Sequence, residues 1–316
     1  MFSFAGRDFV TLKGLERADM EAVFEVAREM EKILHARTRV DLLHDKLLGL
    51  MFFQVSTRTR TSHESAMQRL GGGVVGFADP KVTRAGDYYA ETLYDTVRMM
   101  ESYADILVIR HPQDFAPAEA AAATDVPVIN AGDGYNEHPT QAMLDLYTIK
   151  REKGQITGLN VGLVGDMNIR GNNSLALGLA QYQAKAYFVS PPDARMPKPW
   201  IEEYNRIGLD YEEAESIDDV LPKLDVISMM GVNPPSFHVG RQDAVQDRPK
   251  TADAYVINPA KLARAKSDAI ILAPLPRKDE LPPETDTNSA ARYFVQAHYG
   301  VAVRMALLAM LLGKAP

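Results

Sequence analysis

At 316 residues, 46% hydrophobic and 24% charged, the chain has the composition of a soluble globular protein with room for two domains. Its formal net charge of −7 argues against a nucleic-acid partner, and the lack of cysteine excludes disulfides, zinc thiolates and cysteine nucleophiles. No apolar stretch reaches the ~18 uninterrupted residues of a membrane span, and the opening Met-Phe-Ser-Phe-Ala-Gly-Arg-Asp lacks the layout of a signal peptide, so a cytoplasmic protein is expected.

In chain order, residues 17–37 carry Met20, Val23, Phe24, Ala27, Met30, Ile33 and Leu34 at mostly three- and four-residue spacing, which predicts a helix. Strand candidates follow at 47–53, 74–78, 106–110, 126–130, 160–165, 186–190, 225–228, 255–257 and 269–272. Helical stretches lie between most of them, at 58–70, 90–104, 115–124, 139–151, 172–183 and 199–207, and a last apolar helix spans 289–312. Strand alternating with helix predicts an α/β fold of two doubly wound parallel-sheet domains. The polar stretch Lys150-Arg-Glu-Lys-Gly-Gln suggests the division: 1–150, then 151–288, with 289–316 as the terminal helix.

The most informative run is Phe52-Phe-Gln-Val-Ser-Thr-Arg-Thr-Arg60. A buried strand ends in hydroxyls and a helix starts at once. The free N–H groups and dipole at a helix head attract a phosphate; Ser56, Thr57 and Thr59 add donors and Arg58 adds a planar fork. An ordinary helix cap is the plainer reading of the same residues. Three further segments end strands in polar groups: Arg110-His-Pro112, the glycine-rich turn from Asn130 to His138-Pro-Thr-Gln141, and Pro274-Leu-Pro-Arg277. The prolines of the last lack an N–H, so that turn offers carbonyl acceptors. The stretch Asn160-Val-Gly-Leu-Val-Gly-Asp166 is not followed by G-x-G-x-x-G, there is no Walker or H-E-x-x-H pattern, and the seven histidines do not cluster. Neither a cofactor nor a metal is expected.

Ser56-Thr-Arg-Thr-Arg60, Arg110-His-Pro112, His138-Pro-Thr-Gln141 and Pro274-Leu-Pro-Arg277 resemble, in order and spacing, the signature segments of the aspartate/ornithine carbamoyltransferase family, and are more similar to its aspartate branch. The resemblance implies carbamoyl transfer from carbamoyl phosphate to an amino acid, in pyrimidine biosynthesis if that acid is aspartate. It implies an active site in the interdomain cleft, a terminal helix packed back on the first domain, and a homotrimer or a multiple of it. Ser56, Thr57, Arg58 and Thr59 would hold the phosphate. Arg110, His138 and Thr59 would face the carbonyl oxygen, while Gln141 and the carbonyls of Pro274 and Leu275 would accept from the carbamoyl NH₂. Arg170 would take the α-carboxylate of the acceptor.

Two segments depart from the aspartate pattern. The mobile loop, lysine-bearing in aspartate enzymes, reads Gly86-Asp-Tyr88-Tyr89-Ala-Glu-Thr-Leu93, with Lys81 and Arg84 upstream. The acceptor pair Arg-x-Gln is replaced by Gly231-Val-Asn233, then Pro234-Pro235, and Ser228-Met-Met-Gly231 is similar to the Ser-Met-Gly loop of ornithine-type enzymes. Gln54 stands in place of a common glutamate. The acceptor is therefore aspartate or a related amine, and a catalytically silent homologue serving as a structural partner is the alternative.

Overall fold

The structure is a computed structural model that describes residues 4–86, 89–232 and 250–315. By contacts the chain divides into two compact units, Met1–Leu144 with His298–Pro316, and Asp145–Ala297.

In the first unit, helix α1 (Arg17–His35) buries Met20, Val23, Phe24, Ala27, Met30 and Leu34 along one stripe and opens with a capping box between Glu16 and Asp19. Four parallel strands follow: β1 (Leu47–Phe52), β2 (Gly73–Phe77), β3 (Ile106–His111) and β4 (Val128–Asp133), in the order β2-β1-β3-β4. Helices α2 (Arg58–Arg69), α3 (Leu93–Met100) and α4 (Ala116–Ala121) link them. β1 and β3 are covered on both faces, which is why Leu48–Phe52 and Ile106–Ile109 read as unbroken apolar runs. Helix α5 (Pro139–Lys153) leaves β4 and continues into the second unit.

The second unit holds β5 (Asn160–Val164), β6 (Lys185–Val189), β7 (Tyr211–Ala214), β8 (Val226–Met229) and β9 (Ile270–Leu272), all parallel, in the order β7-β6-β5-β8-β9. Helices α6 (Arg170–Gln181), α7 (Lys198–Ile207) and the short α8 (Pro259–Leu262) accompany them. Its core gathers Val164, Ile227, Tyr255, Ile257, Leu281 and Tyr293. The last helix, α9 (Tyr293–Leu311), begins in this unit, and its residues from His298 onward group with the first. By length and composition α9 is apolar enough to cross a membrane, but most of it is buried inside the fold, where Ala302–Ala309 are core.

The fold class expected from strand–helix alternation is the one observed, with two corrections. Residues 255–257 form no strand: a 3₁₀ turn, Asp253–Tyr255, is followed by Asn258, whose Oδ1 accepts from Lys261 N and starts α8. Three apolar residues ahead of an Asn-Pro cap leave no room for a ladder. Conversely, β7 lies outside the expected strands because Glu212 and Glu213 break the apolar run of an edge strand, where charge is tolerated.

Candidate active site

In a parallel sheet all carboxyl ends share one edge, and ligands gather where the strand order reverses. In the first unit that point lies between β1 and β3, since the chain proceeds from β1 to β2 on one side and through β3 to β4 on the other. Ser56–Thr59 leave the end of β1. Arg110 sits near the end of β3, in register with Phe52, and its carbonyl accepts from Phe53 N at 2.9 Å. His138 follows β4.

The head of α2 has a form suited to an anion. Thr57 is its N-cap, with no side-chain capping bond, so its hydroxyl does not satisfy the first N–H groups. The plainer reading of Thr57 as an ordinary side-chain cap does not hold here. Arg58, the first helical residue, is exposed, with its pKa lowered by partial desolvation. Thr59 is buried, and its Oγ1 lies 3.4 Å from Nε2 of His138. His138 and Gln141 are buried at the head of α5, where the His138 carbonyl accepts from Gln141 N and Ala142 N.

A buried polar lattice holds this turn. Asp133 Oδ1 accepts from Asn130 Nδ2 at 2.7 Å and from Glu137 N at 3.1 Å, while its Oδ2 accepts from Phe115 N at 2.7 Å. Glu137 accepts from the Thr11 hydroxyl and from Leu12 N. His111 is set against Phe53 and takes Gln113 N on Nδ1; burial lowers its pKa and Asp133 opposes that.

His63, in α2, is fully buried. Its Nδ1 donates to the Thr59 carbonyl at 2.8 Å, and its Nε2 has no hydrogen-bond partner among the described residues. Burial holds its pKa well below the usual imidazole range, helped by Arg304 and, less, by Arg110.

In the second unit the order reverses between β5 and β8. Arg170, 3% exposed, opens α6 just after β5, and Gly231 follows β8. These two loops touch. Asp166 N donates to Gly231 O at 3.3 Å, and Gly165 (φ 127°) packs so closely that a Cβ there would stand 2.3 Å from Met230 O. Only glycine fits that approach. Asp166 Oδ1 accepts from both Asn168 N and Asn168 Nδ2 at 2.8 Å, fixing the loop before Arg170. Among the described residues, a Cβ on Gly231 would meet nothing within 4 Å. Pro274 and the half-buried Leu275 leave β9, the neighbour of β8. Asn233, Pro234, Pro235 and Tyr88 lie outside the described residues. Arg84 stacks on Tyr89, 4.6 Å from the ring centre.

Residues 7–151 match the carbamoyl-phosphate-binding domain model of aspartate/ornithine carbamoyltransferases, and 157–311 match the Asp/Orn-binding domain model. The chain belongs to the aspartate/ornithine carbamoyltransferase family. It is 44% identical over 315 residues to the aspartate carbamoyltransferase catalytic subunit of Methanopyrus kandleri, covering 99% of each chain. To that of Thermococcus gammatolerans it is 42% identical, covering 98% of each. Aspartate transcarbamoylase of Trypanosoma cruzi, solved with carbamoyl aspartate and phosphate, superposes with a TM-score of 0.88 at 33% identity, over 98% of this chain and 97% of that one. The same enzyme has been solved with carbamoyl phosphate and aspartate. The present chain is a carbamoyltransferase.

Proposed function

We propose that this carbamoyltransferase moves the carbamoyl group of carbamoyl phosphate to the amine of an amino acid and releases phosphate. The observation that supports it most is the uncapped head of α2 beside the Thr59–His138 pair at the switch point of the first sheet. The N–H groups of that helix head, Ser56, Thr57 and Arg58 hold the phosphate. As the neutral amine attacks, charge grows on the carbonyl oxygen, which Thr59, His138 and Arg110 stabilise. Gln141 and the carbonyls of Pro274 and Leu275 orient the carbamoyl NH₂, and Arg170 anchors the α-carboxylate of the acceptor. The silent-homologue alternative is not favoured, since these relatives are named catalytic subunits.

Aspartate is the first candidate acceptor, from the names of relatives matched end to end, and it would place the reaction in pyrimidine biosynthesis. A second reading is favoured by Gly231, which brings no charged side chain where aspartate enzymes carry an arginine: an acceptor with an uncharged or amide-bearing side chain, to which Asn233 can both donate and accept. The enzyme would act in the cytoplasm as a homotrimer or a multiple of it. Incubating the purified protein with carbamoyl phosphate and a panel of amines, followed by phosphate release and product mass, tests this function. One carbamoylated amino acid is expected, and tight carbamoyl phosphate binding without any product would refute the proposal.

A further inference from the structure

Arg277 follows directly on the turn that carries the Pro274 and Leu275 carbonyls, and both terminal nitrogens of its guanidinium are engaged. Nη2 donates to Asp286 Oδ2 at 2.7 Å and Nη1 to Asp286 Oδ1, a bidentate pair. Nη1 also donates to the Tyr293 hydroxyl at 3.1 Å, and that hydroxyl donates to Asp286 Oδ1, closing a triangle. The guanidinium lies 5.3 Å from the ring centre of Tyr293 and 5.7 Å from that of Phe294. The bond from Arg277 holds the Asp286 carboxyl at about 2, while burial and then Asp286 push the Tyr293 phenol up to about 12, so the triangle keeps one charge state across the working pH range.

With its fork committed in this way, Arg277 is not a free cation for a phosphate or a carboxylate. What it does control is the turn before it. Pro274 and Pro276 have no N–H to brace that turn, and Leu275 adopts φ 58°, a left-handed conformation that is unfavourable for a residue with a side chain. Such a conformation persists only where its surroundings fix it. Both ends of the turn are fixed by α9. Upstream, Ala273 N donates to Gln296 Oε1 at 2.9 Å, and Gln296 is itself tied to Asp145. Downstream, Tyr293, one helical turn earlier on the same face, grips Arg277.

We propose that Arg277, Asp286 and Tyr293 form a clamp that aims the Pro274 and Leu275 carbonyls at the carbamoyl NH₂ of the donor substrate. They are positioning residues, and the proposal rests on the reading of those two carbonyls as the amino-group acceptors.

The test compares carbamoyl phosphate with acetyl phosphate, which keeps the phosphate and the carbonyl and replaces NH₂ by CH₃. Dissociation constants of both are measured by calorimetry on the full-length protein and on Tyr293→Phe, Asp286→Asn and Arg277→Lys, with thermal unfolding alongside. The wild type should prefer carbamoyl phosphate. Each variant should lose about tenfold in carbamoyl phosphate affinity, the worth of one well-placed hydrogen bond, with acetyl phosphate held within twofold. Tyr293→Phe removes a single oxygen and is the variant least exposed to misfolding. If the wild type discriminates and the variants discriminate equally well, or if both ligands weaken together, the clamp does not aim the carbonyls and the proposal is overturned alone. If the wild type fails to distinguish the two ligands, the acceptor role of Pro274 and Leu275 falls, and the clamp with it.

Discussion

Thr59 Oγ1 stands 3.4 Å from His138 Nε2, so the head of α2 and the head of α5 meet at one buried point although 79 residues separate them. On the other side of the ring, Nδ1 of His138 lies 3.5 Å from Thr140 Oγ1. The imidazole is therefore oriented from both edges before any substrate arrives, which is the arrangement a transition-state donor requires.

This pair should separate binding from turnover. His138→Ala is expected to lower kcat by about 10²–10³-fold, the cost of removing one oxyanion donor, with phosphate affinity little changed, because the carbonyl gains its charge only in the transition state. Thr59→Val should lower kcat in the same direction. Steady-state kinetics with calorimetry of phosphate binding checks both; a variant that loses phosphate affinity and keeps kcat would assign His138 to the wrong end of the donor.

His63 predicts a pH dependence of stability. Its folded pKa is depressed below the ordinary 6.5, chiefly by burial and then by the neighbouring Arg304, so the unfolded chain takes up a proton that the native state refuses. Stability is thus full above about pH 6.5 and declines as pH falls below it, by up to about 1.4 kcal/mol per pH unit from this one group. His63→Phe should remove that component. Urea midpoints at pH 5 and pH 7.5 measure it, and equal differences in wild type and variant would show that His63 does not control the slope.

The surface of the first unit leaves Tyr89, Tyr94, Met99 and Tyr103 at least half exposed, around α3 and the loop before it. Apolar surface of this kind is usually covered by a partner. Light scattering at micromolar concentration should give the mass of three chains of 34.9 kDa or a multiple of it. A single-chain mass would contradict the trimer.

Gly231→Arg combined with Asn233→Gln restores the Arg-x-Gln pattern and should improve the use of aspartate, by lowering its KM more than it raises kcat. In the unaltered protein, a bisubstrate analogue built on aspartate should bind more weakly than it does to aspartate enzymes carrying the Arg-x-Gln pair. Loss of a charged contact to a carboxylate is worth about 1.5–3 kcal/mol. Brisk carbamoylation of aspartate by the unaltered enzyme would show that another group takes the side-chain carboxylate.

Much of the half-site in the first unit was legible because its parts are local: a buried strand, hydroxyls, an arginine and a helix head all fall within Phe52–Arg60. Arg110 was legible as a charge ending an apolar run. Other features were not, for physical reasons. The partners of Arg277 are 9 and 16 residues away, on a 3₁₀ segment and on α9, so no local pattern points to its bonds. Nothing in the pattern around His63 marks it as core; the packing shows full burial and an Nε2 without a partner among the described residues. The two glutamates of β7 concealed a strand whose pairing is made by the backbone.

The most direct test of the account is phosphate binding by the wild type and by Arg58→Ala, measured calorimetrically with phosphate and acetyl phosphate. Removal of a charge-assisted fork should weaken binding by about 2–3 kcal/mol, and the wild-type affinity should fall with added salt. Equal affinities in the two proteins would contradict the placement of the phosphate at the head of α2, and with it the central claim.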